Sequence, residues 1–254
     1  MLNTEEEKIK RIKDLEKSFI TKDYSNIERN AIKVIEIAPN ELIGWKRLAA
    51  SQYRLHKFDK SLISFKKAYK LGDVSDISLN NIGTCLLSLN RSDEALKYFI
   101  KALKVNPSLA IAYFNCGNIY RDLFDFNKAY SSFKKASELD NKNTVFFYNF
   151  GLICSLLSKK EEALNAFQKS LYLDKEFYLA LISIGYIHLQ DGKIKEAKNY
   201  FLKANEINPK NPIITNLLGN VYNNLGNNKL SLDYFLTSND LLDEEIKSSS
   251  GSKR

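Results

Sequence analysis

The feature that most constrains this 254-residue chain is a strict spacing of 34 residues. Gly83, Gly117, Gly151, Gly185 and Gly219 fall one period apart, and so do Phe65, Phe99, Phe133, Phe167, Phe201 and Phe235. Ala95, Ala129, Ala163 and Ala197 follow the same interval, continued at either end by Ser61 and Ser231. Ala68, Ala102, Ala136 and Ala204 form a further series, with Ser170 in its gap. Pro39, Pro107 and Pro209 stand two and three periods apart. Composition bias does not produce interlocked series in one register, so the chain is an internal repeat.

Seven segments of 34 residues tile the chain without insertion: 8–41, 42–75, 76–109, 110–143, 144–177, 178–211 and 212–245. Apolar residues recur within each at helical spacing, which predicts two amphipathic helices of about a dozen residues per repeat. In 76–109 they are expected near Asp76–Leu89 and Asp93–Val105, closed by Asn106-Pro107. Only ten glycines and four prolines are present. That scarcity leaves little room for the many turns of a β-sandwich and excludes collagen-like or Pro-rich disordered classes. Gly192 and Gly226 fall in inter-helix turns, and Ser158-x-x-Glu161 has the spacing of a capping box. A glycine inside a helix costs roughly 1 kcal/mol against Ala. Five at one place imply two helices too close there for a side chain. The small residue twelve positions later is the expected facing surface, with the recurring Phe filling the wider gap beside it.

These residues resemble the tetratricopeptide repeat: an aromatic, a Leu-Gly pair, a Tyr, Ala-x3-Phe and a closing Pro. Tyr113-x2-Cys116-Gly117-x2-Tyr120 followed by Ala129-x3-Phe133 matches closely, as does Trp45-x2-Leu48-Ala49 with Ser61-x3-Phe65. The resemblance covers residues 8–245. It implies an all-α chain, a right-handed α-solenoid or superhelix of helix-turn-helix units, whose concave groove binds other proteins or peptides. The first repeat is degenerate, with Leu15, Ile27 and Ala31 where Gly, Ala and Phe stand elsewhere. Its Ile9, Ile12, Leu15 and Phe19 share one face among Glu and Lys, as an N-terminal cap requires. Residues 246–254 read as a disordered tail.

The groove places implied by the resemblance hold Lys46, Arg47 and Arg54, then Asn81 and Thr84, then Phe114, Asn115, Asn118 and Arg121, then Tyr148 and Asn149, then Tyr186, and finally Asn220. Asn81, Asn115 and Asn149 occupy one place in three consecutive repeats. A side-chain amide offers a donor and an acceptor to a peptide unit, and this series resembles the asparagine ladder of O-linked N-acetylglucosamine transferases. The alternative is a set of ordinary solvated amides, since about one residue in ten is Asn. A hydrogen bond nets roughly 0.5–1.5 kcal/mol whereas micromolar binding needs about 8, so Phe114, Tyr148 and Tyr186 are expected as anchors. The family's two-carboxylate clamp is incomplete: Lys46 and Asn81 fit it, but Ala50, Ile111 and Asn115 do not. Lys46, Arg47 and Arg54 read either as a solvated basic face or as candidates for attracting an acidic partner segment.

Catalysis finds no support, and no cofactor or metal is expected. His56 falls in a turn, and His188 takes the place of Tyr120 and Tyr222, as a packed, hydrogen-bonded side chain. Cys85, Cys116 and Cys154 form no C-x-x-C pair and replace apolar first-helix residues, which suits a reducing compartment. The N-terminus carries acids where a signal peptide needs bases, and no apolar run spans a membrane, so a cytoplasmic address is expected. The net charge of +8 raises nucleic acid as a partner. The lysines, however, gather on second helices, away from any aromatic-basic groove. The reading is therefore a non-enzymatic interaction scaffold holding an extended segment. The alternative is a regulatory subunit of an enzyme or secretion complex, docking by its convex face or C-terminal end, where Leu232, Leu236, Leu241 and Leu242 await a partner or a second copy.

Overall fold

The computed structural model describes residues 4–20 and 22–251. These form fourteen helices and no strand. The first is α1 (Thr4–Ile20), followed by α2 (Tyr24–Ile37), α3 (Leu42–Arg54), α4 (Phe58–Lys70), α5 (Asp76–Ser88), α6 (Ser92–Val105) and α7 (Ala110–Asp122). Then come α8 (Phe126–Leu139), α9 (Thr144–Leu156), α10 (Lys160–Leu173), α11 (Tyr178–Gln190), α12 (Ile194–Ile207), α13 (Pro212–Asn224) and α14 (Asn228–Gly251). From α2 onward every helix start recurs at the expected 34-residue interval. The fold is all-α, of the helix-turn-helix solenoid class. The chain divides into two compact units, Met1–Ser132 and Phe133–Arg254, and the packing of each is described by itself.

The turn inside each repeat has one geometry. Lys22, His56, Asn90, Phe124 and Ser158 have φ between 56° and 59°, and Gly192 and Gly226 have 72° and 73°. All seven share one place in the period. From the second repeat on, the next amide reaches back to close the helix end, as in Lys57 N to Gln52 O and Arg91 N to Leu86 O, both 2.8 Å. This is the Schellman arrangement. It corrects the expected capping box: Ser158 occupies the left-handed position, Lys159 is the cap of α10, and no side-chain cap bond forms there. Caps between repeats come from Ser75, whose hydroxyl accepts the amide of Ser78, and from Asn143 and Asn211, whose side chains accept the amides of Val145 and Phe146, and of Ile213 and Ile214.

The recurring glycine faces the recurring phenylalanine. A Cβ on Gly83 would lie 2.5 Å from the Phe99 ring, and on Gly151 2.5 Å from Phe167. On Gly185 it would lie 2.6 Å from Phe201, and on Gly219 2.7 Å from Phe235. The ring therefore sits on the missing side chain rather than beside the helix contact, which corrects the expectation. The small residue twelve places on meets the backbone instead: Ser61 Oγ donates to Ala49 O at 2.7 Å and Ser231 Oγ to Gly219 O at 3.0 Å. In the first repeat the volumes are exchanged. Leu15 stands at the glycine place and Ala31 at the phenylalanine place, and both are fully buried with Ile27 and Val34.

Both ends of the chain depart from the tiling. Helix α1 begins at Thr4, a turn before residue 8, and its Phe19 is covered by the Arg47 guanidinium 3.7 Å above the ring. Helix α14 runs to Gly251 where a disordered tail is expected from 246; residues 252–254 lie outside the described residues. No Pro or mid-segment Gly interrupts Asp243–Ser250, so nothing stops the helix.

Gly151→Ala is expected to lower stability by about 1–2 kcal/mol, because overpacking Phe167 outweighs the gain in helix propensity. Urea melts of this variant with and without Phe167→Leu measure it, and the pair must couple rather than add. Ser158→Gly is expected to raise stability by roughly 0.5–1 kcal/mol, since relief of the left-handed strain exceeds the entropy cost of glycine. An unchanged melting midpoint would contradict that assignment.

Candidate functional site

First helices carry the expected groove residues, and in the unit Met1–Ser132 three of them converge. Arg54 from the last turn of α3 and Asn81 and Thr84 from α5 line an open cavity of about 270 Å³ with Ala50, Tyr53 and the Phe65 ring. Arg54 is exposed, its guanidinium stands 5.9 Å from the Tyr24 ring, and it forms no ion pair with another described residue. Thr84 Oγ1 donates back to Asn80 O at 2.8 Å and Asn81 O at 3.2 Å. The Asn81 side-chain amide makes no hydrogen bond with another described residue.

The other two cations are engaged within the chain. Lys46 Nζ lies 3.4 Å from Asp73 Oδ2. Arg47 holds Glu16 through Nη2 at 3.1 Å and Nε at 3.3 Å. Asp73 is buried between helices α4 and α5, where it also accepts from the Ser75 hydroxyl at 2.7 Å and from that of Ser78. Burial alone would raise its pKa, but the two serines and Lys46 outweigh it and hold the carboxyl below its ordinary value.

The asparagine series shares a register but not an environment. Asn115 is buried and donates Nδ2 to Asn80 Oδ1 at 3.2 Å, whereas Asn81 opens on the cavity. In the unit Phe133–Arg254, Asn149 is buried and donates to Val145 O at 2.9 Å. Phe114, Asn118 and Arg121 are half-buried on α7, Arg121 lying 3.3 Å from Asp122. Tyr148 packs against Phe167 and Phe177, with ring centroids at 5.8 and 5.1 Å. Burial raises its pKa, partly offset by a hydrogen bond with Ser183. Tyr186 is 50% exposed on α11, and Asn220 is exposed on α13, where it donates to Asn216 Oδ1 at 3.1 Å.

Elsewhere the chemistry is quiet. Cys85, Cys116 and Cys154 are buried free thiols, and burial pushes the last two up to about 12. His56 lies exposed in its turn. His188 stacks on Tyr200 at 5.4 Å, as Tyr222 stacks on Tyr234, but its Nδ1 is buried without a hydrogen-bond partner, contrary to the expected bonded ring. Among the described residues no group of His, Cys, Asp or Glu is arranged to hold a metal ion, and no helix is long and apolar enough to cross a membrane.

Profiles of the tetratricopeptide repeat match residues 77–109, 110–143, 146–177 and 178–211, just over half of the chain. The chain belongs to the tetratricopeptide repeat family. Among solved structures it is similar to YrrB, a TPR protein with an unusual peptide-binding site. That match has 25% identity, a TM-score of 0.60, and covers 75% of this chain and 98% of that one. It also shares its fold with the C-terminal part of a TPR repeat-containing protein from Cytophaga hutchinsonii, at 17% identity, TM-score 0.72, and 94% and 98% coverage. Pseudomonas aeruginosa pilF aligns at 16% identity and TM-score 0.69, over 82% and 97%. No curated protein matches by sequence. Tetratricopeptide repeats with such neighbours support a protein–protein interaction scaffold.

Asp73→Asn is expected to cost about 1–2 kcal/mol at pH 7, the worth of charge-assisted hydrogen bonds. The carboxyl is depressed in the fold, so its contribution is present above 3.8, the unfolded value, and is lost as pH falls through the lower folded one. Urea melts of both proteins across pH 7 to 2.5 must therefore converge at the acid end.

Proposed function

We propose that this tetratricopeptide repeat chain is a non-enzymatic scaffold that holds an extended segment of a partner protein along the face formed by its first helices. The observation that carries this reading is the open cavity between α3 and α5, whose lining combines Arg54, Asn81 and Thr84 with Ala50, Tyr53 and Phe65. A pocket with an apolar floor and a few oriented polar groups is the usual form of a recognition subsite. The peptide-binding site of YrrB, a relative that matches 75% of this chain, adds support. In the second compact unit, taken by itself, Tyr186 on α11 and Asn220 on α13 are exposed first-helix residues. A positively charged chain favours an acidic partner through faster encounter.

A second reading has an observation of its own. Leu232, Leu236 and Ile246 on α14 are 58%, 53% and 63% exposed, so the C-terminal end is a docking face for a regulatory role. Photo-crosslinking separates the two. A benzophenone side chain placed at Asn81, Asn118 or Tyr186 is expected to trap a partner in native extract at least about tenfold more than one at Lys70, Lys104 or Leu236. Trapping confined to Leu236 favours the second reading, and equal trapping at all sites sinks the first.

A further inference from the structure

We propose that the apolar seam of α14 is the contact by which two copies of this chain form a closed two-fold dimer. This stands apart from the first-helix reading and gives the C-terminal face of the second reading its occupant. Between repeats, a second helix is covered by the first helix that follows it. Ser61 Oγ lies 3.3 Å from Cys85 Sγ, and Leu62 and Phe65 of α4 share one core with Ile82, Cys85 and Leu86 of α5. Ser231, Leu232 and Phe235 hold the same places on α14, and among the described residues no helix follows to cover them. Leu62 is 5% exposed, Leu232 58%. Phe235 is half-buried, whereas the five earlier phenylalanines of its series are buried.

The pattern of the seam and the chemistry of the other end make that occupant a second copy. Leu232, Phe235, Asn239, Leu242 and Ile246 follow one another at spacings of 3, 4, 3 and 4 residues, the a/d pattern of a helix that pairs with a helix. Helix α14 has 24 residues where the other second helices have 13 or 14, so the seam runs on past the end of the repeat. Exposed Asn239 stands at its centre. An amide carries a donor and an acceptor, so on a two-fold axis it pairs with its own copy, while an apolar partner would leave it unsatisfied. The acids Asp233, Asp240 and Glu244 lie off the a and d places and do not face their copies. At the amino-terminal end, the places of Ile82, Cys85 and Leu86 are held by Asp14, Lys17 and Ser18, which line an open polar cleft with Arg11, Asn26 and Lys33. A copy stacked head to tail would press those charges onto Leu232 and Phe235, buried and unpaired. The seam therefore closes on itself, the same patch meeting the same patch.

Sedimentation velocity on the full chain, from about 1 to 200 µM, tests this. A monomer–dimer equilibrium with Kd of roughly 1–50 µM is expected, with no larger species. Leu232→Glu and Leu242→Glu should each raise that Kd at least about tenfold, since each buries an unpaired charge in the contact. Both sites are exposed in the single chain, so urea melts of dilute protein should not move. Lys17→Glu should leave the Kd intact. Mild oxidation of Asn239→Cys should yield a covalent dimer, because the native thiols are buried. Thr237→Cys, on the opposite side of α14, should not. A chain still monomeric at about 200 µM, growth beyond the dimer, a Kd unmoved by Leu232→Glu, or equal cross-linking at the two cysteines would each overturn the proposal. A monomer whose Leu236 probe traps another protein refutes the dimer and leaves the C-terminal docking reading standing. A dimer whose Asn81, Asn118 and Tyr186 probes trap nothing supports this inference and refutes the first-helix reading instead.

Discussion

The contact on which the rest of the structure depends is a phenylalanine ring lying where a glycine has no side chain. In the four repeats where the pair is described, the approach is 2.5 to 2.7 Å from the place a Cβ would occupy. The ring needs that space because it is buried on its other sides: Phe99, Phe167 and Phe201 are at most 1% exposed. Each pair joins the first and second helix of one repeat, so it fixes their crossing before any neighbour is added. With the helix pair fixed, the left-handed turn can repeat at one place. Within the unit Met1–Ser132, Arg54 reaches the cavity from the second repeat, where Ala49 stands at the glycine place, and Asn81 and Thr84 reach it from the third, where Gly83 meets Phe99.

Much of this was legible in the sequence, and what was not has a common cause. Helix number, helix starts and family follow from the period, because spacing along the chain maps directly onto a repeated backbone. The partner of the glycine did not follow. Spacing shows that Gly83, Ala95 and Phe99 belong together, but the direction in which the Phe99 ring leans is a matter of rotamer and packing. The left-handed place was visible at Gly192 and Gly226 and hidden at His56, Phe124 and Ser158, where the backbone of the repeat overrides residue preference. Ser158 therefore looked like a cap and is a turn.

The candidate site shows the same division. The register placed Lys46, Arg47 and Arg54 on one helix, and no rule of spacing distinguishes them. Their separate fates depend on Glu16 and Asp73, acids from the preceding repeat and from the loop after α4. Likewise Asn81 and Asn115 are equivalent by position, yet the second meets Asn80 while the first opens on the cavity. A repeat specifies backbone places; the individual residue at the neighbouring place decides whether each one is available to a ligand.

The exchanged volumes of the first repeat carry a historical consequence. Leu15 with Ala31 fills the same space as glycine with phenylalanine elsewhere, but no single substitution converts one arrangement into the other. Replacing Ala31 with Phe first would overpack the helix pair against Leu15, and replacing Leu15 with Gly first would open a void against Ala31; either costs a few kcal/mol, roughly 1–5 by either route. The amino-terminal repeat is thus separated from its siblings by a valley in sequence space. It can keep diverging on its exposed face while its interior stays committed to the inverted solution.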